Sequence, residues 1–442
     1  MPFRISGKDE FAGFLAQVDR IQQAGFAEMR KAGMREDKAR ALILKICNYL
    51  VGKSQYLNRH EYIISSPYGL IVDPSKGCPL HCHGCLHNNL FRQKMSSDWP
   101  SGILEQNIFQ KFIEKFGPGS ATILFYNWGE PLLNKHTPGF IRQAKGYLAK
   151  TSLSSNLSTP FDAEALVLSG LDYMILSVDG ATKETYERYR CGGQFDLALD
   201  NMRRLVAARQ KHNLATPYLS WQFLMFEHNR HEVEAVKRMA DEIGVDEVKF
   251  ALPYDVIWEP GLQPVKDAEA ETYTVAAPRA GSGRVETEVS SSFAELFAVK
   301  WVDKIVDIDP ALFTRRTGST CKWLYTSLVM DANGRYLPCC YVPRKNSGFQ
   351  YVFAEHAGNG GEPFNSEYYR FSRKHFVWLS ELQNQGGIAP VLEGGKMAPY
   401  CVACPDKGGS PLVNEFHLRR YLREADSCGL LDDAALDLIT DW

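Results

Sequence analysis

Two apolar periods divide the chain. In "FAGFLAQVDRIQQAGFAEMRKAG" and "DKARALILKICNYLVG" apolar residues recur at three and four, which predicts a helical N-terminal extension over 1–65. From 66 to 252 short β-rich runs alternate with amphipathic helical stretches. The runs are "YGLIVD" (68–73), "ATILFY" (121–126), "TSLSSN" (151–156), "YMILSV" (173–178), "YLSWQFLMF" (218–226) and "DEVKFAL" (246–252). Six strand–helix units in this order predict an α/β fold, a parallel sheet curled into a partial (β/α)6 TIM-like barrel. Active sites on such barrels lie at the carboxyl ends of the strands. Over 253–320 the pattern weakens: "PVKDAEAETYTVAAPRAGSGRVETEVSSS" is small and polar, and reads as an exposed, mobile insertion or linker with a helix near 293–305. The remainder, 321–442, is set apart as a small C-terminal domain by its cysteines.

Composition narrows the class. A chain of 442 residues is long enough for a large first domain and a smaller second one. Fifty Lys and Arg stand against 52 Asp and Glu, with no long run of one sign, so neither a nucleic acid nor an anionic membrane is an expected partner. The most apolar stretches are short and interrupted, and the start lacks the basic-then-apolar order of a signal peptide. A cytoplasmic protein is expected, in which eleven cysteines argue for metal ligation rather than a disulfide framework.

The first strand runs straight into "DPSKGCPLHCHGCLHN", which holds Cys78, Cys82 and Cys85 within eight residues. Structural zinc takes four ligands in a closed tetrahedron, commonly from two paired knuckles, so a C-x3-C-x2-C triplet suits it poorly, although a partial zinc site is the plain alternative. Three thiolates from one loop can instead hold three corners of a four-iron cubane and leave the fourth iron open.

With that spacing, the triplet resembles the signature of the radical S-adenosylmethionine enzymes. The resemblance implies that the open iron chelates the amino and carboxylate groups of S-adenosylmethionine. Reductive cleavage then gives a 5'-deoxyadenosyl radical that abstracts hydrogen from the substrate. Further motifs follow in order. Gly129, Glu130 and Pro131 in "FYNWGEPLLNK" resemble the family's glycine–glutamate motif, which receives the amino group; a carboxylate suits an ammonium ion, and glycine admits close backbone approach. Ser155 and Asn156 stand where the family has a Thr-Asn-Gly turn, with Leu157 in place of the glycine. Ser177 and Asp179 resemble ribose contacts. Tyr186, Arg190 and the pair Gly192-Gly193 match a stretch common in the family, and the resemblance makes Arg190 a partner for the cofactor's carboxylate. Gly84 departs from the family, which often has an aromatic residue there.

Cys321-x12-Gly334-x4-Cys339 is similar to the opening of SPASM and twitch domains, which hold auxiliary clusters. "DANG" reads as a hairpin turn that brings Cys321 and Cys339 together, and Cys401 and Cys404 would supply two more thiolates for one auxiliary [4Fe-4S] cluster. Cys340 could replace Cys339, and the same four thiolates would also satisfy zinc. Cys47, on an apolar helix face, reads as core.

The resemblance thus implies a radical [4Fe-4S] cluster, S-adenosylmethionine and a flavodoxin- or ferredoxin-type electron donor. An auxiliary cluster favours oxidation of the substrate radical, whereas quenching by a thiol would invert the carbon. Cys191 and Cys428 are the hydrogen-donor candidates, with idle or packed thiols as the alternative. Peptide-modifying relatives often carry an N-terminal winged-helix recognition module, so the helical N-terminus here tilts the substrate toward a carbohydrate or cyclitol, oxidised or epimerised. Tyr126, Trp128, His83 and His87 beside the cofactor motifs could line its pocket or simply pack the barrel mouth. Radical modification of a ribosomally made peptide is the runner-up, and a zinc-stabilised binding protein is the rival from another class.

Overall fold

A computed structural model describes residues 8–31, 33–85, 102–253, 262–266, 269–275, 321, 323–337, 339, 363–365, 369–370 and 373. Cys340, Cys401, Cys404, Cys428, His87 and the helix expected near 293–305 lie outside these residues.

All six strands expected from the pattern are present, as β1 (Gly69–Val72), β2 (Thr122–Leu124), β3 (Lys150–Ser155), β4 (Tyr173–Ser177), β5 (Tyr218–Leu224) and β6 (Glu247–Ala251). They pair in parallel in chain order, with registers such as Leu70↔Ile123 and Trp221↔Val248. All four residues of β1 are buried, as expected of a sheet covered on both faces. The covering helices present apolar faces at three and four. Phe109, Phe112, Ile113 and Phe116 are the buried side of α3 (Gln106–Phe116). The helix Val233–Ile243 buries Val236, Ala240 and Ile243 and ends at Gly244, whose φ of +87° only glycine adopts without cost.

The sheet is larger than the pattern predicted. Its order is β7-β6-β5-β4-β3-β2-β1-β8-β9. Strand β7 (Glu271–Thr274) pairs antiparallel with β6 inside the stretch expected to be an insertion. Being an edge strand with mostly exposed side chains, "ETYT" carries no apolar alternation, which is why the pattern misses it. On the other side, β8 (Ser327–Met330) lies parallel to β1, with Gly69↔Ser327 and Val72↔Met330 in register, and β9 (Tyr336–Leu337) returns antiparallel. The hairpin expected at "DANG" is therefore present, with Gly334 at φ +75°, and it extends the barrel sheet next to the strand that feeds the cysteine triplet.

Ahead of β1, α1 (Lys8–Lys31) and α2 (Glu36–Leu57) form a helix pair with its own apolar cluster of Val18, Met29, Ala39, Ile43, Ile46, Cys47, Leu50 and Val51. Cys47 is core, as expected. The buried Lys45 docks α2 on the barrel, its Nζ donating to the carbonyls of Gly117 (2.8 Å) and Ser120. Among the described residues no helix is long and apolar enough to cross a membrane.

Candidate active site

The loop after β1 turns beneath an apolar cap of Leu80, Tyr189, Phe226 and Leu262. Cys82 is buried among these side chains, and Cys78 and Cys85 are half-buried against them. Gly84, at φ +72°, makes the turn between the last two cysteines, so the absence of an aromatic residue there has a backbone reason. Burial pushes the Cys78 and Cys82 thiols up to about 12. Such thiols stay protonated unless a cation displaces the proton.

The carboxyl ends of β2, β3 and β4 close on this loop. A Cβ on Gly129 would lie 1.6 Å from the Ser75 carbonyl oxygen, so only glycine lets the β2 loop rest on the cysteine loop. The N–H of Glu130 then donates to the Gly77 carbonyl at 2.7 Å. The Glu130 carboxylate, 2 % exposed, accepts from the Leu132 amide (3.1 Å), the Ser155 hydroxyl (2.8 Å) and the Asn156 amide (2.9 Å). It therefore clamps the end of β3 and caps the short helical turn Pro131–Leu133, and burial raises its pKa to about 6. Asn156 in turn directs Nδ2 at the Cys78 sulfur, 3.5 Å away. Leu157 stands at φ +58°. The left-handed turn that glycine would favour is kept with a fully buried leucine, held by Ser155 Oγ on its amide and Asn201 on its carbonyl.

After β4, Asp179 is 0 % exposed. One of its carboxylate oxygens accepts the Leu224 amide at 2.6 Å, and the other pairs with Arg190 Nε. This carboxylate is thus engaged within the protein rather than turned outward as a ribose contact. Ser177 pairs its hydroxyl with that of Ser154 at 3.3 Å. Arg190 ends the helix Lys183–Tyr189, lies over the Tyr189 ring at 5.1 Å, and brings Nη1 to 3.9 Å from the Cys82 sulfur. It is a half-buried neighbour of the triplet, paired with the fully buried Asp179. Gly192 and Gly193 are both required. Gly192 has φ +83°, and a Cβ on Gly193 would lie 2.6 Å from the Tyr186 ring. This segment packs on the cysteine loop, where the His81 amide donates to the Cys191 carbonyl (2.8 Å) and the Cys191 sulfur lies 3.2 Å from His83 Nε2.

Sequence reasoning missed a group of ionisable side chains behind the loop: the buried Asp73, Lys76 and Asp331, and the half-buried Arg335. The signal was present, because "DPSK" and "DANGR" put charge next to the ends of two apolar strands. Cys321 and Cys339 are half-buried against the main core on either side of the β8–β9 hairpin.

The donor chemistry fits a cubane. Three cysteine thiols presented by one loop suit a cubane, which takes each thiolate on a different iron. The Asn156 amide and the Arg190 guanidinium add hydrogen-bond donors beside the Cys78 and Cys82 sulfurs, the kind of surroundings that tune such clusters.

The site is that of a parallel α/β barrel protein that presents three thiols from the loop after its first strand, with a glycine–glutamate turn, an asparagine and a half-buried arginine against them. In this arrangement, and in its sequence similarity to an AdoMet-dependent protein, the chain resembles the radical S-adenosylmethionine enzymes, whose cofactors are a [4Fe-4S] cluster and S-adenosylmethionine. No family profile matches the chain. An AdoMet-dependent heme synthase of Methanosarcina barkeri is 26% identical over 183 residues, 41% of this chain and 49% of that protein, so the chain spans about half the length of the curated relative it matches. Among solved structures, Streptococcus suis SuiB bound to S-adenosylmethionine overlays with a TM-score of 0.44 at 13% identity, covering 94% of this chain and 86% of that one. BtrN in complex with AdoMet and 2-DOIA overlays with a TM-score of 0.34 at 12% identity, covering 74% and 92%. At these scores the overlays are too loose to bear on function.

Proposed function

We propose that the protein is a radical S-adenosylmethionine oxidoreductase or epimerase that removes hydrogen from an unactivated C–H bond of a carbohydrate- or cyclitol-type small molecule. The observation that carries the reading is the convergence of Cys78, Cys82 and Cys85 with Glu130, Asn156 and Arg190 at the carboxyl ends of β1 to β4. When bound, the cluster supplies the electron that cleaves S-adenosylmethionine to methionine and the 5'-deoxyadenosyl radical, itself re-reduced by a flavodoxin- or ferredoxin-type donor.

The chain's own residues then have distinct tasks. Cys78, Cys82 and Cys85 would ligate three irons. Arg190 holds positive charge beside Cys82 and is the candidate partner for the cofactor's carboxylate. Glu130 fixes the β2 and β3 turns, and Ser177, at the end of β4, is the candidate ribose contact. The half-buried Tyr126 and Trp128, beside the glycine–glutamate turn, are proposed as an aromatic wall suited to a sugar ring. Cys191, paired with His83 next to the cysteine loop, is the first candidate for the thiol that returns hydrogen to a substrate radical, with Cys428 as the second. Cys321, Cys339, Cys401 and Cys404 are proposed to hold one auxiliary [4Fe-4S] cluster, whose electron-accepting role would favour oxidation.

The test uses a panel of sugars and cyclitols deuterated at secondary alcohol carbons, incubated anaerobically with reconstituted, reduced enzyme. Deuterium in 5'-deoxyadenosine is the expected result. Cofactor cleavage without label transfer from any panel member, but with transfer from a peptide, would replace the small-molecule reading with the peptide one.

A further inference from the structure

The end of β1 and the β8–β9 hairpin are joined by buried charge. Lys76, two residues before the first triplet cysteine, is 1 % exposed, and its Nζ lies 2.9 Å from Oδ2 of Asp331, which is also 1 % exposed. Asp331 opens the hairpin turn. Its Oδ1 accepts the amides of Asn333 and Arg335, each at 2.9 Å, while its Oδ2 takes the Arg335 guanidinium at 2.7 Å as well as Lys76. One oxygen thus builds the turn and the other carries two cations. On the far side of Lys76, Asp73 accepts the Gly129 amide at 3.3 Å, and its second carboxylate oxygen is buried with no hydrogen-bond partner in the protein. The backbone runs the same way: the Asp73 amide donates to the Met330 carbonyl at 2.9 Å.

Desolvating two charges costs about as much as their attraction returns, so a buried pair adds little net stability, yet loss of one partner leaves an uncompensated charge. Such a pair fixes geometry. We propose that the Lys76–Asp331–Arg335 chain is a positioning device that sets the triplet loop against the hairpin bounded by Cys321 and Cys339, so that the two sets of cysteines are built as one unit. Lys76 is thus a positioning residue for Cys78, acting through a strand that arrives some 250 residues later in the sequence. The inference rests on the reading of the triplet as a cluster loop.

The experiment compares full-length wild type, Lys76→Met, Asp331→Asn and the double variant. Amide hydrogen exchange is measured on the metal-free proteins, and iron is counted after anaerobic reconstitution. Each single variant is expected to speed exchange about tenfold or more in both 76–85 and 331–337, and to lower triplet-bound iron. The double variant, which orphans neither charge of the pair, should lie closer to wild type than either single. Exchange confined to the mutated segment, or a double variant as perturbed as the sum of the singles, overturns the proposal. A wild type that takes up no iron at the triplet would overturn the cluster reading instead, and the exchange pattern would still decide the coupling.

Discussion

At the residue scale the site is built from positions where one side chain, or none, is admissible. A Cβ on Gly129 would overlap a backbone carbonyl, so Gly129→Ala is expected to cost about 3 kcal/mol or more and to lower the melting temperature of the metal-free protein. Leu157 reverses the usual ranking. Its left-handed backbone costs about 1–2 kcal/mol for any L residue with a Cβ, and its side chain is fully buried. Both Leu157→Ala and Leu157→Gly should destabilise, but the glycine variant should be the more stable of the two by about 1 kcal/mol in urea unfolding. The opposite order would mean that the turn is not left-handed. Glu130 faces only donors, the amides of Leu132 and Asn156 and the Ser155 hydroxyl. Glu130→Gln must turn an NH2 group toward one of them, at a cost of about 1–3 kcal/mol. Weaker S-adenosylmethionine binding with unchanged iron content is expected from the displaced β3 turn; a variant as stable as wild type would contradict the clamp.

At the scale of elements, the end of β1 contributes a pH dependence. Asp73 is buried, and its carboxyl is raised from 3.8 to about 7, chiefly by desolvation. The folded state therefore holds a proton that the unfolded state releases above pH 4. Stability from this group is present at low pH and is lost as pH rises through 7, by on the order of 4 kcal/mol. Urea melts of the metal-free protein from pH 5 to 8 should show wild type losing stability relative to Asp73→Asn; parallel curves would mean that Asp73 is ionised throughout. Much at this scale was legible beforehand. Apolar runs bounded by turn residues located β1 to β6 and the two N-terminal helices, because those elements bury contiguous apolar faces. The edge strand β7 was not, since its side chains face water, and neither was the parallel pairing of β8 with β1. Local pattern announces the hairpin at Gly334, but its partner strand lies far away in the chain. The same distance hid the Lys76–Asp331 pair. Cys78, Cys82, Cys85, Glu130, Asn156 and Arg190 could be read as a site because each belongs to a short motif in the segment that follows its strand, whereas the inward turn of Asp179 depends on Leu224 of another strand.

At the scale of the molecule, one sheet carries the triplet loop and the hairpin between Cys321 and Cys339, while the α1–α2 pair packs on the barrel through Lys45. The central claim is that the triplet holds the cluster that cleaves S-adenosylmethionine. The most direct measurement is 5'-deoxyadenosine formation by anaerobically reconstituted, dithionite-reduced protein, with iron counted in parallel, for wild type and the Cys78→Ala/Cys82→Ala/Cys85→Ala variant. Formation of 5'-deoxyadenosine by wild type and none by the variant, with about eight irons falling to about four, is the expected result. Cleavage that survives loss of all three cysteines, or a wild type that forms no 5'-deoxyadenosine with its iron sites filled, would contradict it.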